Sequence, residues 1–566
     1  VTRPWLDSYA DGVPTDVAIP DEPLTAALAR SAAAFPERVA VDFLGRTTTY
    51  AQLADQVDRA AHALHGLGVR HGDRVALVLP NCTAHVVAFL ATLRLGAVVV
   101  EHNPTYSATE LRLQLADSGA SVALVWEKAV AAVLEARAGT DLREVVVVDL
   151  TADLPATKRW ALRAPVRSAR TARAAMSADA PRDLPRWHAL VASSDPLSAD
   201  HPHPQADDLA LVQFTGGTTG TPKGAALRHR NLVANTVQGQ AWTDARPGTE
   251  TVYAALPFFH AFGLTLCLLY GVRIAATIVP FPRFDTDLVL AAQRRRPCTF
   301  LPAVPPILDR LASAADERGA DLGSIRYAFS GGMALPRETA ERWEHATGGL
   351  VIEGYGMTET APVALGNPLS PARRPGALGL PFPGTDIRVV DPADPTRDVP
   401  HGEQGELLVH GPQVFAGYWG RPDETAEQLL PGGWLRTGDV VRVDDDGFVV
   451  LVDRIKEVIV TGGFKVYPSQ VEDHLRAMPG VRDVAVVGVP ADGDLGEKVV
   501  AAVVLDDRAS DGATPVDLSA VRAWCAQRLA SYAVPRGLVV VPELPRSILG
   551  KVLRRVVRDE VLAVSA

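Results

Sequence analysis

Four short runs, "RVALVLP" (74–80), "GAVVV" (96–100), "SVALVW" (121–126) and "EVVVVDL" (144–150), are apolar and rich in β-branched residues. Runs of this kind have no polar face. They must be covered on both sides, as strands are inside a parallel sheet. Helical patterns accompany them: "TYAQLADQVDRAAHALHGLG" sets apolar residues at helical spacing and closes on glycine. Strand and helix in alternation predict α/β layers with largely parallel sheets. With 566 residues the chain is too long for one core, since cores split beyond roughly 250–300 residues. Two or more domains are expected.

Three changes of composition mark the chain. Residues 158–173, "KRWALRAPVRSARTAR", hold six cations and no acid. "SADHPHPQADD" (198–208) is a polar connector broken by prolines. "DDDGFVVLVDRIKEVIVTGG" (444–463) reads as a turn, a strand and a charged strip. Two β-rich runs, "VRDVAVVGVP" and "EKVVAAVVL", a helix, "DLSAVRAWCAQRLA", and a basic tail follow it. That order predicts a separate, small α+β domain. The net charge of −10 argues against a general nucleic-acid binder. Cys82, Cys267, Cys298 and Cys525 lie far apart with no CxxC pair. A disulfide framework or zinc site is therefore not expected, and a reducing cytoplasm fits. The first residues, "VTRPWLDSYADGVPTD", carry early charges in place of an apolar core, so no secretory leader is expected there. No run approaches the roughly 18 uncharged apolar residues of a membrane span.

The apolar run "LALVQF" (209–214) leads into Thr215, Gly216, Gly217, Thr218, Thr219 and Gly220, and then through Thr221 and Pro222 to Lys223. A strand entering such a loop can aim several backbone N–H groups at one point and form an anion nest. The glycines let main chain approach a ligand closely. The threonines add hydroxyls, and Lys223 adds a point charge suited to phosphate. A polyphosphate is the expected ligand. The order Pro222–Lys223–Gly224 departs from G-x-x-x-x-G-K-[ST], so this is not a Walker A loop.

The string "TGGTTGTPKG" resembles the signature of the adenylate-forming enzymes: acyl-CoA synthetases, amino-acid-activating domains and beetle luciferases. Four further strings resemble that superfamily's later motifs: "YGMTET" (355–360), "GWLRTGD" (433–439), "DRIKEVIVTGGFKVYPSQVE" (453–472) and "PRSILGKVLRR" (545–555). They occur in the family's order, and the likeness covers nearly the whole chain. It implies an adenylation domain over 1–452, a hinge at 453–456 and a small mobile α+β domain over 457–566. It implies ATP, Mg2+ and coenzyme A, and two steps. A carboxylic acid and ATP give acyl-AMP and pyrophosphate, and a thiol then takes the acyl group and releases AMP. The first step brings two anions together, so catalysis should rest on positioning and charge neutralisation.

The resemblance also implies roles for individual residues. Lys551 reaches the carboxylate and the α-phosphate. Glu359 and Thr215 offer oxygens to magnesium, which normally keeps several waters beside a few carboxylate or phosphate ligands. Thr358 is a hydroxyl of the same shell. Tyr355 stacks on adenine, the main chain of Gly331, Gly332, Glu353 and Gly354 lines the base, and Gly356 belongs to the same nucleotide-binding motif. Asp439 accepts from both ribose hydroxyls, and Arg454 and Lys456 meet ribose and phosphate. His260, in "LPFFHAFGL", lies beside the acyl carbonyl and the magnesium shell. Rotation about the hinge exchanges Lys551 for the strip 460–465, where Gly462 and Gly463 admit the pantetheine arm beside Lys465.

"TGGTTG", "HRNLVAN", "PRWHAL" and "GFKVYPSQVED" resemble bacterial long-chain fatty-acid CoA ligases, so a medium-to-long-chain fatty acid is the expected substrate. Leu264 stands where some long-chain relatives carry a tryptophan gate, which leaves chain length open. An aryl or branched-acid CoA ligase and a fatty acyl-AMP ligase that loads a carrier protein are the alternatives. A non-catalytic lipid-binding protein would have lost Lys551, Glu359 and Asp439, and all three are present. The expected partners are the fatty acid, ATP and CoA, without nucleic acid. A peripheral membrane contact through the basic segment, which contains Trp160, stays open, as does a homodimer.

Overall fold

The computed structural model describes residues 3–215, 222–461, 464–491, 496–506, 516–547 and 550–565. By compactness the chain forms two units, one of Trp5–Asp386 with His410–Leu435, the other of Val1–Pro4, Ile387–Val409 and Arg436–Ala566. Residues 436–452 thus group with the C-terminal residues, and the expected hinge at 453–456 falls inside the second unit.

Among the described residues, the larger unit contains a seven-stranded and a nine-stranded sheet. The four apolar runs form strands Arg74–Val78, Val98–Glu101, Val122–Trp126 and Glu144–Val148 of the first. They are parallel to one another, and Leu209–Thr215 continues the parallel set beside Val98–Glu101. Their centres are fully buried, as continuous Val/Leu runs require. Lys223–Arg228 and Gly417–Tyr418 complete one side in antiparallel sense. In the second sheet Thr251–Ala254, Thr277–Pro280, Phe300–Ala303, Tyr327–Ser330 and Leu350–Gly356 run parallel. The carboxyl ends of each parallel set therefore share one edge.

The predicted helix forms over Tyr50–Gly66, with a capping box between Thr49 and Gln52. Helix Thr83–Arg94 is buried at every position. Helix His229–Thr243, which contains "HRNLVAN", turns a row of buried amides to main chain elsewhere. Asn231 Nδ2 donates to Pro412 O (3.0 Å) and Val414 O (2.8 Å), Asn235 Nδ2 to Val363 O (2.7 Å) and Gln238 Nε2 to Pro383 O (3.0 Å). Pro412, Val414 and Pro383 lie outside any helix or strand, and Val363 opens the strand Val363–Gly366; each bond gives one of these carbonyls a side-chain donor from this helix.

In the smaller unit, Val481–Pro490 and Glu497–Leu505 pair antiparallel, and Gly537–Val540 adds in parallel. Alternate residues face opposite sides. Val484, Val486, Ala501 and Val503 pack with Val471, Leu475, Val521 and Cys525 from helices Pro468–Arg476 and Leu518–Ala526. Ala485, Val487, Val500 and Ala502 pack with Val557 and Val561 from helix Arg554–Ser565. The same unit contains a strand pair, Trp434–Val443 (from Arg436 onward) with Val449–Arg454, whose register sets Asp439 opposite Arg454.

Candidate active site

In the larger unit the glycine-rich loop springs from a closed strand pair. Thr215 lies opposite Lys223, and the Thr215 hydroxyl donates to Lys223 O at 3.4 Å. Both ends of the loop are thus fixed at the carboxyl edge of the seven-stranded sheet. Gly216, Gly217, Thr218, Thr219 and Gly220 lie outside the described residues. Tyr418, paired through its strand with Ala225, brings its ring 5.3 Å from Lys223 Nζ, a cation–π distance. Its hydroxyl donates to Glu359 Oε1 at 2.7 Å. Burial, then the Glu359 charge, raises the Tyr418 phenol, which keeps it a donor. Glu359 is 5% exposed and sits in the turn Thr358–Thr360. One phenol therefore joins the loop lysine to the carboxylate.

Gly331 and Gly332 follow Tyr327–Ser330, and Glu353, Gly354, Tyr355 and Gly356 end the neighbouring strand. The structure brings several of these together. A Cβ on Gly331 would lie 3.2 Å from the Phe262 ring and 3.3 Å from Gly354 O. A Cβ on Gly356 would lie 1.8 Å from Pro362 O, so that strand end has room for glycine alone. Glu353 accepts from Gly376 N–H at 2.9 Å, and burial pushes its carboxyl up to about 7. His260 caps the turn Ala261–Gly263, with Nδ1 accepting from Phe262 N–H at 3.3 Å. That bond puts the ring proton on Nε2, and burial holds the imidazole down to about 4. At neutral pH His260 is an uncharged Nε2–H donor.

In the smaller unit Asp439, 5% exposed, forms an ion pair with Arg454, with Nε 3.1 Å from Oδ1. Lys551 sits one residue after Gly550, whose φ is +82°, and its N–H donates to Ser547 Oγ at 3.2 Å. Burial pushes the Lys551 ammonium down to about 8; Arg454 and Arg554 push the same way, and Glu457 and Asp439 oppose them. Lys456 lies in the turn Ile455–Glu457, and Lys465 is exposed in strand Phe464–Val466, opposite Val460. Gly462 and Gly463 lie outside the described residues.

Among the described residues no cluster of three or more His, Cys, Asp or Glu is arranged to hold a metal. A magnesium shared with phosphate oxygens needs only one or two carboxylates, and the buried carboxylate of Glu359 is of the kind that smaller requirement asks for. Tyr418 is the residue that sequence reasoning missed. "AGYWG" has no signature of its own, and the phenol meets Glu359 across 59 positions of chain.

Parallel strands that end at one edge, with a phosphate-type loop, define the class of α/β enzymes that handle nucleotides outside the carboxyl ends of their strands. Residues 28–419 match the AMP-binding enzyme family, and residues 470–551 match the C-terminal domain of AMP-binding enzymes. The long-chain-fatty-acid–CoA ligase of Bacillus subtilis (strain 168) is 34% identical over 565 residues, 99% of this chain and 98% of that protein. A feruloyl-CoA synthase of Amycolatopsis sp is 36% identical over 532 residues, 94% and 97% of the two chains. The ATP-bound MatB of Rhodopseudomonas palustris superposes with a TM-score of 0.81 at 30% identity, covering 96% of this chain and 100% of that one. The chain belongs to the AMP-binding enzyme family.

Tyr418→Phe removes the hydrogen bond to Glu359 and keeps the ring beside Lys223. It should cost about 1.5–3 kcal/mol of stability, the usual worth of a hydrogen bond to a charged group. Tyr418→Leu should cost more. Thermal unfolding of the two variants beside the parent checks the order.

Proposed function

We propose that the chain is an ATP-dependent long-chain-fatty-acid–CoA ligase. The observation that carries the reading is Lys551, a half-buried cation in an electrostatic neighbourhood shared with Asp439 and Arg454. A 34% identity to a long-chain-fatty-acid–CoA ligase along almost the whole chain supports the choice of acid.

In the first step a carboxylate oxygen bonds to the α-phosphorus, and the bond to pyrophosphate breaks. Lys551 lies between the two anions. His260 donates through Nε2 to the acyl carboxyl oxygen. The loop Thr215–Lys223 holds the outer phosphates. Tyr355 stacks on adenine among Gly331, Gly332, Glu353, Gly354 and Gly356. Asp439 takes the ribose hydroxyls, with Arg454 and Lys456 between ribose and phosphate. Glu359, Thr358 and Thr215 would hold magnesium, which when bound neutralises phosphate charge. In the second step the CoA sulfur bonds to the carbonyl carbon, and AMP leaves. Residues 453–456 are the proposed pivot that replaces Lys551 with Gly462, Gly463 and Lys465. Asp453 ties this pivot to the following helix, accepting from Ser469 N–H at 2.9 Å.

The feruloyl-CoA synthase relative favours an aromatic acid as the second reading. Pyrophosphate release over a panel of acids, from short and long aliphatic to cinnamic, separates the two. Long-chain acids should give the highest kcat/KM, with AMP as the nucleotide product. Preference for cinnamic acids would exchange the readings, and ADP as product would overturn both.

Lys551→Ala should slow acyl-AMP formation about 10²–10³-fold and largely spare thioester formation from supplied acyl-AMP. Equal loss in both halves would refute the assignment. The same lysine sets a pH dependence. Its depressed value means the charged form prevails below about 8, so kcat/KM for ATP should fall as pH rises through that value. The limb in kcat should lie higher, because bound anions favour the ammonium.

Among the described residues no helix is long and apolar enough to cross a membrane. The basic segment forms helices Ala156–Ala161 and Arg167–Met176, with Trp160 71% and Val166 52% exposed. Cations around an exposed indole suit an anionic bilayer surface, where a cytoplasmic enzyme would meet its acid. Vesicles of phosphatidylglycerol should bind the protein in a salt-sensitive way and shift Trp160 emission to the blue. Arg159→Glu with Arg163→Glu and Arg167→Glu should weaken binding by about 1 kcal/mol or more per cation. Equal binding to phosphatidylcholine would refute the contact.

A further inference from the structure

His260 hangs on a stretch without regular structure, residues 255–260, that leaves the nine-stranded sheet after Thr251–Ala254. Nothing in a loop aims a ring by itself, yet this stretch is buried or half-buried throughout and is held by two amides, one on a strand of the other sheet and one just beyond such a strand. Asn81, 2% exposed, follows strand Arg74–Val78. Its Nδ2 donates to Ala254 O (3.0 Å) and Leu256 O (2.7 Å), and its Oδ1 accepts from Phe258 N–H (2.7 Å). Gln213, also 2% exposed, donates from Nε2 to Phe259 O at 2.5 Å, one residue before His260. Three hydrogen bonds from Asn81 and one from Gln213 thus fix the main chain from 254 to 259. The next bonds, His260 N–H to Pro257 O (3.2 Å) and Phe262 N–H to His260 Nδ1 (3.3 Å), pass that order to the ring. Gln213 stands two residues before Thr215 on the strand that enters the phosphate loop.

We propose that Asn81 and Gln213 are positioning residues that aim the His260 ring for acyl-adenylate formation, Gln213 doing so from the strand that also carries the phosphate loop. The inference rests on the ligase reading and on the role of His260 within it. Neither amide touches substrate; each acts through the main chain it holds. Small errors of placement are expensive: a shift of about 1 Å at a reacting group can cost about 10²-fold in rate.

The test is a double-mutant cycle on the full-length enzyme. Pyrophosphate release is first established with the parent. Gln213→Met keeps the side-chain length and loses the donor, and Asn81→Asp keeps the acceptor and loses both donors. Each should lower kcat for acyl-AMP formation about 10–100-fold, with KM for ATP changed less than about threefold. The thermal midpoint falls because buried carbonyls lose their donors, so rates are read at a temperature where each variant is folded. Placed on His260→Ala, each should cost nothing further, because groups that act through one another are not additive. Losses that multiply on the His260→Ala background, or single variants within about threefold of the parent, would overturn the proposal. If Asn81→Asp does not fold, Gln213→Met alone decides. A parent that releases pyrophosphate while His260→Ala is fully active would overturn this inference and leave the ligase reading standing. A parent that releases none with any acid would sink both.

Discussion

A parallel strand has to stop, and at its carboxyl end the last carbonyls and the next amides lose the ladder that paired them. In this protein the buried chain beyond those ends is satisfied by side-chain amides. Asn81 and Gln213 hold the stretch after Thr251–Ala254, and Asn235 holds Val363 on both its N–H and its C=O. Each such group would otherwise carry an unpaired buried dipole, at about 1–3 kcal/mol. The same unpaired edge makes the crevice useful, because backbone donors there are available to a ligand.

In each unit the electrostatics of the candidate site residues follow from burial acting on charges of either sign. It keeps His260 neutral, lifts Glu353 toward neutrality and weakens the proton hold of Lys551. Glu359 is buried but has Tyr418 as a donor, and Tyr418 in turn lies beside Lys223.

Local chemistry was legible where consecutive residues create it. The four apolar runs became parallel strands because continuous apolar sequence has no other stable placement. The helix Tyr50–Gly66 followed from apolar spacing within one short stretch. The pairing of Asp439 with Arg454 connects two of the motifs read from sequence, though only the strand register sets them opposite each other. Compactness drew the division between units differently from motif order, since strands 387–409 and 436–452 group with the C-terminal residues.

Sequence by itself determined the α/β layering and the family, and it nominated the candidate site residues, because glycine loops, apolar runs and cationic strips express their physics over a few neighbouring positions. Tertiary structure alone decided that Tyr418 joins Glu359 to Lys223, that Asn81 and Gln213 grip the chain before His260, and which nitrogen of His260 carries the proton. The first two depend on hydrogen bonds between residues 46 to 177 positions apart, while the His260 proton is set by the N–H of Phe262 two positions on, once that turn has formed. An amide or a phenol announces nothing about its partner until folding brings the two together and removes the water between them.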